Sequence, residues 1–230
     1  KPTSSKDPFA LRRSAIGLIR LIVENKLEIK LKDIINYSLM LFSEQDMNFN
    51  IKLAQQDLYS FISERLRFYM KEKNIRPDII ECSMSSYNTD QIYKIFNKAL
   101  ILNKLIDKNI GQDIIFSYKR ASNILNDEVK KNKIELSETT DPGLFKNESE
   151  KKLYKKIQEI RKYFTSLGSG ENCEKTLEVL AEAKIEVSNF FEQVVVNTDD
   201  ETLKKNRLEL LQLLCKTFNN YINFSNIESA

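Results

Sequence analysis

The 230-residue sequence contains no histidine and no tryptophan, and only five glycines, four prolines and three cysteines. Each scarcity closes off a class of protein. Without histidine there is no imidazole general base, no histidine-activated nucleophile and no zinc site built on imidazole. So few glycines and prolines cannot supply the turn every 8–12 residues or so that a β-sandwich or barrel needs. Cys82, Cys173 and Cys215 lie far apart and form no CxxC, so neither a zinc knuckle nor a redox dithiol is readable. No apolar run approaches the roughly 20 residues of a membrane span. No GxxxxGK[ST] or GxGxxG motif exists to cradle phosphates.

What is present is a chain rich enough in apolar residues, at 41%, to bury a real core. The length suits one large domain or two small ones. Sparse, odd-numbered cysteines fit a reducing cytoplasm. The sequence starts at Lys1 rather than Met, and we read it as part of a longer protein. The sequons at Asn36, Asn147 and Asn223 then carry no meaning. The net charge is +3 and unevenly spread. Residues 1–127 hold 20 Lys/Arg against 15 Asp/Glu, a net of +5, and residues 128–230 a net of −2. A basic half permits a polyanionic partner without demanding one. Lysine makes up 27 of the 36 basic side chains, which reads as compositional bias. The nine arginines are the more selective signal.

Helical periodicity dominates. Asp7-Pro8 reads as an N-cap and N1 pair opening a first helix striped by Ala15, Leu18, Ile19 and Ile22. Further helices are expected near 31–43, 51–73, from Pro77, and from a capping box at Asn88–Gln91 to about Lys108. Asn109-Ile-Gly111 reads as a glycine C-cap, followed by a helix over about 112–126. Residues 128–147 read as a surface loop and residues 1–7 as a linker from an upstream domain. Helices near 148–166 and 173–193 follow, and Thr198–Glu201 reads as a capping box for the last. The expected fold is all-α, a single bundle of about nine helices over residues 1–230.

The candidate binding residues are basic or amide side chains. Arg12 and Arg13 point about 100° apart on the first helix, so one can pair internally while the other faces a phosphate. Arg65 shares a stripe with Leu58, Phe61 and Tyr69, and a charge there needs a partner; its loss is expected to cost ~3–5 kcal/mol. Arg67 lies on another face, open to solvent or RNA. Lys119, Arg120 and Asn123 place a guanidinium and an amide one turn apart, suited to phosphates and base edges or to tying helices together. Arg207 sits on the stripe between Leu203 and Leu211 and reads as structural. Asp199-Asp200 reads as helix capping. Tyr37, Tyr87 and Tyr118 offer rings for base stacking, with core packing the simpler reading.

Several strings carry a family resemblance. Pro2–Arg13, PTSSKDPFALRR, resembles a signature segment of the β subunit of bacterial two-subunit glycyl-tRNA synthetases, which usually reads PTGSKDPFALRR; Ser4 replaces its Gly. FISERL (61–66), KRASNIL (119–125), LFKNESE (144–150), FFEQVVV (190–196) and DDETLKKNRL (199–208) match in the family's order. Residues 195–197 depart from the usual Met and hydrophobic residue there. The resemblance implies a C-terminal helical region similar to the anticodon-binding domains of class I arginyl- and cysteinyl-tRNA synthetases. It implies binding of glycine tRNA and partnership with an α subunit that carries the ATP- and Mg-dependent catalytic core. The region itself is then expected to be non-catalytic and cytoplasmic, without cofactor, metal or membrane. The rival expectation is a helical module that assembles synthetase subunits without touching RNA.

Overall fold

The computed structural model describes residue 7 and residues 9–44, 49–85, 90–132, 135–167 and 172–228. Among these, ten α-helices and two short 3₁₀ turns account for the regular structure, and the sole extended pairing is an isolated bridge between Lys30 and Gln91. The helices group into two compact units, one of residues 1–84 and 88–100, the other of residues 85–87 and 101–230.

The first unit contains α1 (Leu11–Glu24), α2 (Leu31–Ser43), α3 (Ile51–Glu72), α4 (Pro77–Met84) and the first part of α5 (Ile92–Leu105). α1 buries Ala15, Ile19, Ile22 and Val23, and α3 buries Ile62, Leu66, Tyr69 and Met70. Both sets follow the i, i+4, i+7, i+8 spacing of a single helical face, and the two helices pack together. α1 begins later than the Asp7-Pro8 signal predicts. Ala10 sits at its N-cap with φ 54°, in the left-handed region. Asp7 still serves the helix start, because its Oδ2 accepts from the Arg12 amide at 3.1 Å. Pro8 lies outside the described residues, as do Asn88 and Thr89 of the expected capping box.

The second unit is built around α10 (Glu201–Asn219). Twelve of its 19 residues are buried, so it is covered on nearly every side and acts as the core rod. α6 (Asn109–Asn132) and α7 (Glu148–Ser166) pack on it; α8 (Cys173–Ala181) and α9 (Ala183–Gln193) pack on α6, and α9 also on α7. A single helix is expected over 173–193, and the structure breaks it at Glu182. Asn147 and Glu150 form a reciprocal capping box on α7, whereas α10 is capped by Asp200, which accepts from the Leu203 amide at 3.0 Å. Thr198 is therefore not the cap, and the capping reading of Asp199-Asp200 holds at Asp200.

Gly111 does not end a helix. It lies in the first turn of α6, where a Cβ would come 2.4 Å from the Leu105 carbonyl oxygen and 2.5 Å from Ile106 Cα. Close backbone approach, not a left-handed cap, is why glycine stands there. The expected loop over 128–147 is shorter, because α6 continues to Asn132. Its remainder is tied down by α10. Asn206 Oδ1 accepts from the Asp141 amide (2.7 Å) and the Thr140 hydroxyl (2.9 Å), and its Nδ2 donates to the Asp141 carbonyl (3.0 Å). Glu209 accepts from the Ser137 amide at 2.9 Å. One buried helix face thus supplies the hydrogen bonds that an irregular segment cannot make to itself.

Candidate nucleic-acid interface

In the second unit, α6 brings Phe116, Arg120 and Asn123 to one face by their i, i+4, i+7 spacing. The Arg120 guanidinium lies over two rings, Phe191 of α9 at 4.5 Å and Phe116 at 5.6 Å. Phe191 is itself braced edge-on by the fully buried Phe190, at 5.2 Å and 80°. A core residue therefore orients a ring, and the ring orients a half-buried cation. Such cation–π contacts hold the planar fork while leaving N–H groups for a phosphate or base edge. Lys119 is half-buried and Asn123 exposed. The structure thus places Lys119, Arg120 and Asn123 together. Tyr118, by contrast, is buried against Phe218 and Phe224, and its hydroxyl accepts from Asn219 Nδ2 at 3.0 Å, so it packs the core. Tyr37 is 62% exposed, and Tyr87 lies outside the described residues.

In the first unit, Arg12 and Arg13 line a cleft of about 460 Å³ together with Ile16, Gly17, Arg20, Arg65, Phe68 and Glu72. Arg12 is half-buried and Arg13 exposed. Arg20 is absent from the sequence candidates, although its i, i+7 relation to Arg13 is visible in the sequence. Arg65 is not the buried, tightly paired charge its stripe suggests. Its side chain is 25% exposed, Glu64 approaches only to 3.9 Å, and Phe61 lies 5.9 Å from the guanidinium carbon. The α3 face carrying Leu58 and Phe68 is exposed, so Arg65 keeps access to the cleft. Arg67 makes a 2.8 Å ion pair with Glu81 of α4. That pair occupies the guanidinium, which makes Arg67 the least suited of the candidates to meet an RNA.

Two other arginine and lysine sites are structural. Arg207 Nε donates to Glu150 Oε1 at 2.7 Å and its Nη1 to the Val195 carbonyl at 2.9 Å. Glu150 is fully buried and also accepts from the Lys146 and Asn147 amides at 2.7 and 2.6 Å. Lys204 meets Glu128 at 2.9 Å, with both side chains nearly buried. Burial pushes the Cys215 thiol up to about 12, which makes it unreactive near neutrality. Among the described residues no cluster of three or more Cys, Asp or Glu could hold a metal ion, and no helix is long and apolar enough to cross a membrane.

Comparison with known families agrees with this division. Residues 114–229, all within the second unit, match the family model described as DALR anticodon binding domain. That match spans half of the chain, and the chain belongs to the DALR anticodon-binding domain family. Residues 1–85 match the model described as glycyl-tRNA synthetase beta subunit. Among curated relatives, the glycine–tRNA ligase beta subunit of Rickettsia canadensis (strain McKiel) is 33% identical over 227 residues, which is 98% of this chain and 32% of the relative. That of Rickettsia felis (strain ATCC VR-1525 / URRWXCal2) is 34% identical over 224 residues, 97% of this chain and 31% of the relative. The chain spans about a third of the length of these curated relatives.

Proposed function

We propose that this region is the non-catalytic tRNA-binding part of a glycine–tRNA ligase β subunit, and that its second unit grips the anticodon region of glycine tRNA. The observation that carries the reading is the coincidence of the DALR match with a compact unit that presents Arg120, oriented by two rings, beside exposed Asn123. Arg120 supplies charge and a planar fork; Asn123 supplies an amide that can both donate and accept. Lys119 adds positive charge to the same stretch of α6. Contacts of this kind, made far from the reacting atoms, hold the acceptor end of the tRNA in place for chemistry on the α subunit, where ATP and Mg are used. No cofactor is needed by this region itself, and the reading places it in the cytoplasm. The α subunit is its protein partner in the assembled ligase.

The rival reading, a subunit-assembly module without RNA contact, is tested by the same variant. Arg120→Ala should weaken binding of glycine tRNA by ~1–3 kcal/mol, the scale of a charge-assisted hydrogen bond. Thermal unfolding of that variant should fall only slightly, by the ~0.5–2 kcal/mol of the lost ring contacts. Unchanged tRNA affinity would place the RNA face elsewhere. A collapse of folding would mean that Arg120 ties α6 to α9.

A further inference from the structure

The cleft of the first unit has features that packing does not account for. Arg12, Arg13, Arg20 and Arg65 converge on it, and Glu72 is the one carboxylate among its lining residues. Arg13, Arg20 and Arg65 thereby gather like charge at one cleft, which favours an anionic occupant. Arg65 sharpens the point. Its Nε is buried and has no hydrogen-bond partner among the described residues, so the guanidinium is not fully satisfied by the fold. Phe68, on the same wall of α3, is 49% exposed, an aromatic face beside a cationic cleft.

Gly17 supplies the floor. Glycine in the middle of a helix costs stability relative to alanine. At Gly111 that cost has a packing reason, but a Cβ built at Gly17 meets nothing within 4 Å. The missing side chain leaves open space between Arg13 and Arg20, one turn to either side. The cleft volume of about 460 Å³ falls in the range of small-ligand pockets, roughly 300–1,000 Å³.

We infer that this cleft binds an unpaired RNA segment, with the arginines on a phosphate and Phe68 under a base. Phosphate alone would engage the arginines; a single-stranded nucleotide would engage the adjoining Phe68 ring as well. The site shares no residue with the Arg120 surface, and its support does not depend on that surface.

The test uses the whole chain and two fluorescein-labelled RNAs: a short single-stranded oligonucleotide and a glycine-tRNA anticodon stem-loop. Arg13→Ala with Arg20→Ala should weaken binding of the single strand at least tenfold and lower the magnitude of its log K against log salt slope by about 0.7, the value for one phosphate contact of a single strand. Gly17→Leu changes no charge and improves helix propensity, yet it fills the floor, and should weaken the single strand by a comparable factor. Phe68→Ala should weaken the single strand several-fold while leaving binding of inorganic polyphosphate unchanged. Arg120→Ala should spare the single strand and weaken the stem-loop, which separates failure of this site from failure of the Arg120 reading. Unchanged affinity in Gly17→Leu, with a normal circular dichroism spectrum, would overturn the cleft. So would equal capture of a polyglutamate peptide, because the site would then be a protein-docking surface. Both arginines are peripheral to the buried face of α1, so their variants should fold; if the double variant does not, Gly17→Leu and Phe68→Ala decide the question.

Discussion

The two units differ in where some of their arginines sit. In the second, Arg207 and Glu150 meet inside the fold, Glu150 also receives two backbone amides, and Lys204 meets Glu128 nearly out of water. In the first, Arg13 and Arg20 are exposed and join Arg12 and Arg65 around an open cleft. A buried ion pair is a device for holding parts in one arrangement: removing one partner strands the other, even though the pair itself adds little net stability. A gathering of like charges at the surface holds nothing together and costs a little through repulsion. The second unit therefore holds Arg207 and Lys204 in ion pairs inside the fold, whereas Arg13 and Arg20 of the first unit line an open cleft.

The largest effect expected from this contrast is in the second unit. Glu150→Ala should destabilise the chain by ~3–5 kcal/mol, because it strands the Arg207 guanidinium and two amides at the start of α7. Arg20→Ala in the first unit should change stability by no more than ~0.5 kcal/mol. Thermal and urea unfolding of the two variants, side by side, checks the contrast directly. Similar losses in both would erase it.

The glycines offer a second, smaller version of the same comparison. Gly111→Ala drives a Cβ into the backbone at Leu105 and Ile106 and should cost ~1–3 kcal/mol, because backbone cannot step aside as a flexible side chain can. Gly17→Ala meets open space and should stabilise by about 0.5–1 kcal/mol through helix propensity alone. Opposite signs from one substitution at two helical glycines separate a residue kept for packing from one kept for access.

Much of this was legible in the sequence wherever the cause is local. The helical period and the capping role of Asp200 follow from neighbouring residues, whereas the inward face of α3, Ile62, Leu66, Tyr69 and Met70, is turned away from the expected stripe of Leu58, Phe61 and Arg65. The structural role of Arg207 follows from its place between Leu203 and Leu211. What the sequence hides is any relation between distant residues. Glu150 stands 57 positions from Arg207, and Phe191 reaches Arg120 from another helix. Gly111 misled because a glycine just after the apolar run of 92–106 reads as a cap, while the close approach that requires it comes from the preceding helix end. Arg65 misled because a stripe of apolar residues predicts burial only if something covers it, and Leu58 and Phe68 remain exposed. Arg20 could have been found from its two-turn spacing to Arg13, but the open floor at Gly17 shows only in three dimensions.

The central claim, that this region is a tRNA grip rather than a subunit spacer, is tested most directly by salt. The chain is titrated with glycine tRNA at a series of salt concentrations, by fluorescence anisotropy. Phosphate contacts release counterions, so log K should fall linearly with log salt, with about 0.7–0.9 in slope for each contact, and a slope of several in total. Binding that is absent, or whose affinity does not change with salt, would contradict the account and favour the assembly module.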